Sequence, residues 1–173
     1  MVCYDEFGPI ELRPQHGQTW ARQRHPDRLP ATYTRLLGTR QFLAFYDLRR
    51  DRLWGYLRPH KRWLDFLRVL EKMRNRYPVK ERIYLVLDNF SPHRRVEVRR
   101  WARKNNVIFV WTPTNASWLN RIECQFTELK GYAFHNTYFR THQQVRKAIS
   151  RFLRYRNHRN AKRKHKKTNL KRH

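Results

Sequence analysis

The sequence predicts an α/β domain in which helices cover both faces of a mixed sheet. Three observations carry this. Residues 1 to about 59 read as strands joined by a hairpin. From Lys61 the apolar residues switch to a helical period. Two short all-apolar runs, Ile83–Leu87 and Val107–Trp111, lie either side of a polar, helix-like stretch. Runs apolar on both faces fit central strands covered by helices on each side.

Each element has its own local reason. Residues 2–7 form the first expected strand, ended by Gly8-Pro9. His16-Gly17-Gln18 reads as a turn before Thr19-Trp20-Ala21, and residues 25–30, with two prolines, read as a loop. Strands at 39–47 and 53–57 flank the charged turn Leu48-Arg49-Arg50-Asp51-Arg52, a hairpin that lacks the Asn-Gly signature. Trp63, Phe66, Leu67, Leu70, Met73 and Tyr77 fall at helical spacing, and Pro78 stops that helix.

Ile83–Leu87 then runs into Asp88. A mostly polar helix is expected at about 93–105, stopped by Asn105-Asn106 before the second apolar strand. Thr112-Pro113-Thr114-Asn115 is a loop, and Ser117 caps a helix reaching about Gly131. A last helix places Val145, Ile149, Phe152 and Leu153 on one face. Residues 156–173 hold nine Lys or Arg, three His and no acid, and no carboxylate occurs after Glu128. The expected organisation is one domain over 1–155 and a basic, disordered tail over 156–173.

Composition narrows the function classes. Forty Lys or Arg against 13 acids give a formal charge of +27 in 173 residues. Self-repulsion of that size calls for a polyanionic partner, and nucleic acid is the first expectation. Six Trp, nine Tyr and ten Phe exclude a wholly disordered chain. No apolar run approaches a membrane span, and the first residues do not form a secretory signal. Cys3 and Cys124 make neither a disulfide framework nor a metal motif, and nine His without paired Cys give no zinc signature. A cytoplasmic protein is expected.

In so basic a chain, acids at strand ends stand out. Asp5 lies in the first strand, Asp88 ends the most apolar one, and Glu123 falls in the first turns of a helix entered through Ala116-Ser117-Trp118-Leu119-Asn120. In an open α/β sheet, sites form at the carboxyl ends of strands. Three oxygen ligands suit Mg²⁺ or Mn²⁺, and a pair of such ions supports phosphodiester chemistry. The alternative is structural: Asp88 caps a turn, Glu123 pairs with Arg121 or Lys130, and Asp5 is a polar residue at a strand end.

These residues stand within a longer ordered set. Asp5-Glu6, Pro14 with Gly17-Gln18-Thr19-Trp20, Leu87-Asp88-Asn89-Phe90-Ser91-Pro92-His93, and Leu119-Asn120-Arg121-Ile122-Glu123 resemble the catalytic domain of DDE transposases. The similar group is the mariner-like superfamily of bacterial insertion sequences. The resemblance runs from Val2 to about Gly131, and more loosely along the last helix. The 34 residues between Asp88 and Glu123 match that family's gap between its second and third acids.

The resemblance implies a ribonuclease-H-like fold and a DNA transposase domain that hydrolyses phosphodiesters and transfers strands at insertion-sequence ends. It implies that Asp5, Asp88 and Glu123 are catalytic and hold two Mg²⁺ or Mn²⁺ ions. Asn89, His93 and Asn120 match family positions beside the acids, where they orient ligands or contact DNA. Local readings also stand: Asn89 as a turn former, His93 at a helix start, Asn120 hydrogen-bonding at a helix start. Trp118, beside the expected site, is the tryptophan singled out for stacking on a base. Arg121 departs from the Pro that many relatives carry there.

The implied partners are transposon ends and target DNA, a second copy of the chain, and no membrane, with location at the bacterial nucleoid. Full-length relatives carry N-terminal helix-turn-helix modules, whereas this sequence starts at its first catalytic strand. The expectation is a truncated copy, or a split frame whose recognition half is a separate or frameshift-fused polypeptide. The rival readings are a catalytically incompetent remnant that only binds DNA and a basic RNA-associated protein.

Overall fold

The computed structural model describes residues 1–12, 38–114 and 116–170. The expected turn at His16-Gly17-Gln18, the loop 25–30, Pro14 and Trp20 lie outside the described residues.

Among the described residues, five strands form one mixed sheet: β1 (Val2–Glu11), β2 (Thr39–Asp47), β3 (Arg52–Arg58), β4 (Ile83–Leu87) and β5 (Val107–Trp111). Their order is β3-β2-β1-β4-β5. β2 and β3 form the expected antiparallel hairpin, whose turn passes through Asp51 at φ 50°. β1 pairs antiparallel with β2 and parallel with β4, and β4 pairs parallel with β5.

Four helices of the described residues cover the sheet: α1 (Trp63–Arg74), α2 (Val96–Lys104), α3 (Glu123–Ala133) and α4 (His142–Leu170). Alternation along each strand divides the apolar side chains between two layers. On one face Tyr4, Leu43, Phe45, Leu85 and Leu87 pack against Phe66, Leu70 and Met73 of α1 and Val98 of α2. On the other, Cys3, Phe42, Ala44 and Leu53 pack against Leu129 of α3 and Val145, Ile149 and Phe152 of α4. Each large side chain so buried stabilises the fold by roughly 1.5–3 kcal/mol before entropy is counted. The expected helices on both faces are therefore present, in the ribonuclease-H-like arrangement.

Gly55 lets the hairpin close. It pairs with Ala44, and a Cβ there would lie 2.5 Å from the Leu43 carbonyl and 2.6 Å from the Phe42 ring.

Some boundaries differ from the sequence reading. β1 does not stop at Gly8-Pro9. Its pairing with β2 shifts register between Phe7 and Ile10 and then resumes, so the pair acts as a bulge. The helix expected from His93 is a 3-10 turn, Ser91–Arg94, followed by α2, because Arg95 has an extended backbone (ψ 142°). The helix expected from Ser117 is likewise a 3-10 turn, Ser117–Leu119, and α3 begins only at Glu123.

The boundary at 155 falls inside α4, and the expected disorder from Arg156 does not hold for residues 156–164. Polar anchors hold this stretch. Arg156 is 1% exposed, with Nη2 donating to Asp51 Oδ1 at 2.6 Å and Nη1 to the Asp51 carbonyl at 2.7 Å. The Asn157 amide bonds both backbone groups of Leu53 on β3, donating at 2.8 Å and accepting at 2.9 Å. Asn160 donates to Asp51 Oδ2, and Arg159 pairs with Glu128 at 2.7 Å.

Candidate active site

The β1–β4 register brings the first two acids together. Val2 pairs with Leu85 and Cys3 with Val86. Two residues further along both strands, the same offset sets Asp5 level with Asp88. Alternation gives Asp5 the side of Cys3, the layer of α3 and α4, while Tyr4 and Glu6 take the opposite side. Glu123 opens α3 in that same layer, its N–H bonded to the Asn120 carbonyl at 3.1 Å.

Electrostatics record this convergence. Burial pushes the Asp5 carboxyl up to about 7, and the negative charges of Glu6, Asp88 and Glu123 push the same way, against one hydrogen bond from the Glu6 N–H at 2.7 Å. Asp88 behaves oppositely. A hydrogen bond from His93 holds it below the usual carboxylate range, against partial burial, and the Phe90 N–H also donates to it. The two acids at one sheet end thus have different protonation at neutral pH.

His93 is 1% exposed and is the cation of this pocket. Burial alone would lower its pKa, but its bonds to Asp88 and Glu6 and their charges raise it to about 9. Doubly protonated, its ring donates from Nδ1 to Asp88 Oδ1 at 2.9 Å and from Nε2 to Glu6 Oε1 at 2.8 Å. Glu6 Oε1 also accepts the Tyr4 hydroxyl at 2.9 Å, and Lys61 Nζ lies 3.8 Å from Oε2. The Phe66 ring, 4.4 Å from the imidazole centre, closes the pocket.

Glu6 faces away from Asp5 on the two-residue period of the strand, and it is the residue that holds His93. The signal was the two-residue period that puts Glu6 on the side of Tyr4; nothing local announces a partner 87 residues away.

The two asparagines fix the loop between β5 and α3. Asn89 Nδ2 donates to the Thr112 carbonyl at 2.8 Å, and Asn120 Nδ2 to the Tyr4 carbonyl at 2.8 Å. Asn120 is 3% exposed, and its Oδ1 is buried without a hydrogen-bond partner. Trp118, by contrast, is 71% exposed.

The donor set, three carboxylates on converging elements, has the chemistry of a hard divalent cation site. A cation there would offset the burial and the like charges that raise the Asp5 carboxyl. Among the described residues, no three His, Cys, Asp or Glu side chains are already drawn into a closed ligand group. Asp88 is turned instead to the His93 imidazolium, with both of its bonds made through Oδ1.

The fold places Asp5 within β1, Asp88 just past β4 and Glu123 at the start of α3. The profile of the DDE superfamily endonucleases matches residues 1–146, and the chain belongs to that family. No curated protein sequence matches it. Among solved structures it is similar to the Mos1 mariner paired end complex with Mg, at TM-score 0.67 and 16% identity, over 88% of this chain and 47% of that one. The Mos1 strand transfer complex matches at TM-score 0.66 and 15% identity, over 94% and 51%. The Mos1 transposase paired-end complex with left transposon end matches at TM-score 0.64 and 16% identity, over 88% and 47%. At these identities the likeness is one of fold, and the chain spans about half the length of those proteins. No helix among the described residues is long and apolar enough to cross a membrane.

Proposed function

We propose that this chain is the catalytic domain of a DNA transposase, acting on phosphodiesters at insertion-sequence ends with two Mg²⁺ or Mn²⁺ ions. The observation that carries the reading is the β1–β4 register, which sets Asp5 level with Asp88, with Glu123 opening α3 in the layer of Asp5. Carboxylates that converge in this way suit a hard divalent cation. Family membership supports the nuclease class.

Asp5, Asp88 and Glu123 would hold the ions. When bound, such ions lower the pKa of an attacking water or 3′-hydroxyl and stabilise the leaving oxygen. His93 keeps Asp88 ionised and aimed from a fixed direction, and Glu6 keeps His93 charged. Asn120 ties the start of α3, and so Glu123, to the backbone beside Asp5. Water attacks phosphorus, the bond to the 3′-oxygen breaks, and the freed 3′-hydroxyl then attacks a target phosphodiester in line.

The surplus of Lys and Arg grips the DNA backbone, which positions DNA without reading its sequence. Sequence recognition would come from a helix-turn-helix module, fused or separate, and paired ends would be held by two copies. The place of action is the bacterial nucleoid.

Nicking of supercoiled plasmid with Mg²⁺ or Mn²⁺, native chain against Asp88→Ala, tests the reading. Metal-dependent nicking lost in the variant supports it. DNA binding without nicking in either favours a DNA-binding remnant. Metal-independent binding tighter to RNA than to duplex DNA favours an RNA-associated protein.

A further inference from the structure

Trp118 and Leu119 form an apolar projection on a loop braced against both acid-bearing strands. Trp118 is 71% exposed and Leu119 is 54% exposed. Of the other tryptophans described, Trp54 is buried and Trp63, Trp101 and Trp111 are half-buried. Two adjacent large apolar side chains left in water forgo the stabilisation that burial would bring.

Hydrogen bonds tie the loop beneath them at both ends. The loop leaves β5 with the Thr112 N–H bonded to the Leu87 carbonyl at 3.0 Å, and the Thr112 carbonyl receives Asn89. It ends at buried Asn120, bonded to the Tyr4 carbonyl, and at fully buried Ile122. Between these points Ala116 is buried, and its N–H bonds the Pro113 carbonyl while its carbonyl accepts the Leu119 N–H, both at 3.1 Å. The indole is therefore registered to Asp5 through Asn120 and to Asp88 through Asn89. It stands five residues before Glu123.

We propose that Trp118, backed by Leu119, is a wedge that stacks on an unpaired base next to the scissile phosphodiester. This rests on the reading of the three carboxylates as a DNA-cleaving site. A backbone phosphate in paired DNA sits between stacked bases, and splaying one of them costs a few kcal/mol. An indole face recovers about 1–3 kcal/mol per base, with little sequence preference. A chain of net charge +27 supplies the backbone attraction, so an apolar protrusion amid that charge fits a base better than an apolar protein partner.

The test uses two fluorescein-labelled oligonucleotides of one sequence, one fully paired and one with a splayed end. Affinities are read by anisotropy without divalent metal and at one salt concentration. The native chain is expected to prefer the splayed DNA. Trp118→Ala should lose about tenfold on the splayed DNA and less than about twofold on the paired one, and Trp118→Phe should keep most of the preference. Circular dichroism of each variant checks the fold. Equal native affinity for the two DNAs, or an equal loss on both in Trp118→Ala, overturns the wedge. A preference that depends on Trp118 in a chain that fails to nick plasmid keeps the wedge and removes the nuclease reading, so the two fail separately.

Discussion

Arg156 and Asp51 lie 105 residues apart in the chain and 2.6 Å apart in space, and their pair fastens α4 to the β2–β3 turn. Arg156 gives five donors in a planar fork, and four bonds are made at once: to the Asp51 carboxylate, the Asp51 carbonyl, Gln125 Oε1 and Asn157 Oδ1. The Tyr46 ring lies 5.0 Å from the guanidinium carbon.

Asp51→Asn should therefore destabilise the chain by about 1–2 kcal/mol at pH 7, since Asn keeps the left-handed backbone and loses only the charge. Partial burial pushes the Asp51 carboxyl up, but bonds from Tyr46, Arg156 and Asn160 hold it below its ordinary value. A depressed acid stabilises the fold above its unfolded pKa of about 3.9 and loses that contribution as pH falls further. Urea unfolding at pH 7 and pH 3 checks this: the gap between native and variant should narrow at the lower pH.

Asp5 carries the opposite sign. With its folded pKa at about 7, the native chain keeps a proton that the unfolded chain releases at about 3.9. Rising pH drains stability through that window, and the cost is complete above about 7. Metal-free Asp5→Asn should be more stable than the native chain at pH 8, by about 1–3 kcal/mol, and nearly equal to it at pH 4. Under the proposed function, Mg²⁺ raises the melting temperature of the native chain at pH 8 and not that of the variant.

His93→Ala would strand the Glu6 carboxylate, 5% exposed, without its closest cation. A loss of roughly 3–5 kcal/mol is expected, because one member of a buried pair is left charged. Adding Glu6→Gln to His93→Ala should return part of that loss. A double-mutant cycle by chemical denaturation measures the coupling, and additive losses would contradict it.

At Gly55 a methyl group meets the Leu43 carbonyl and the Phe42 ring. Gly55→Ala should cost about 1–3 kcal/mol through overpacking, seen as a lower melting temperature with the sheet otherwise retained.

The layered sheet was readable because its signals are local. Ile83–Leu87 and Val107–Trp111 are apolar on every position, and Phe66, Leu70 and Met73 repeat at the helical period. Asp5 was readable as an acid within the first strand and Asp88 as one ending the most apolar strand, and the register of β1 on β4 brings them level. The partner of His93 was hidden, because Glu6 stands 87 residues earlier in the chain. The course of α4 beyond Leu153 was hidden too. Polar groups hold that stretch, and a run of Arg, Asn and Lys reads alike whether solvated or docked. Helix starts at Val96 and Glu123 were displaced by 3-10 turns, whose short-range bonds leave no periodic mark.

The bond between Asn157 and Leu53 has a consequence for solubility. Among the described residues β3 is one of the two outer strands of the sheet, and an outer strand offers unpaired amides to any other chain. Asn157 takes both the N–H and the carbonyl of Leu53, so a side chain from α4 occupies the place where a foreign strand would begin to pair. Peeling α4 from the hairpin would expose that edge beside the apolar layer of Phe42 and Leu53. The same helix that carries so much of the positive charge is thus also a guard against strand-to-strand aggregation.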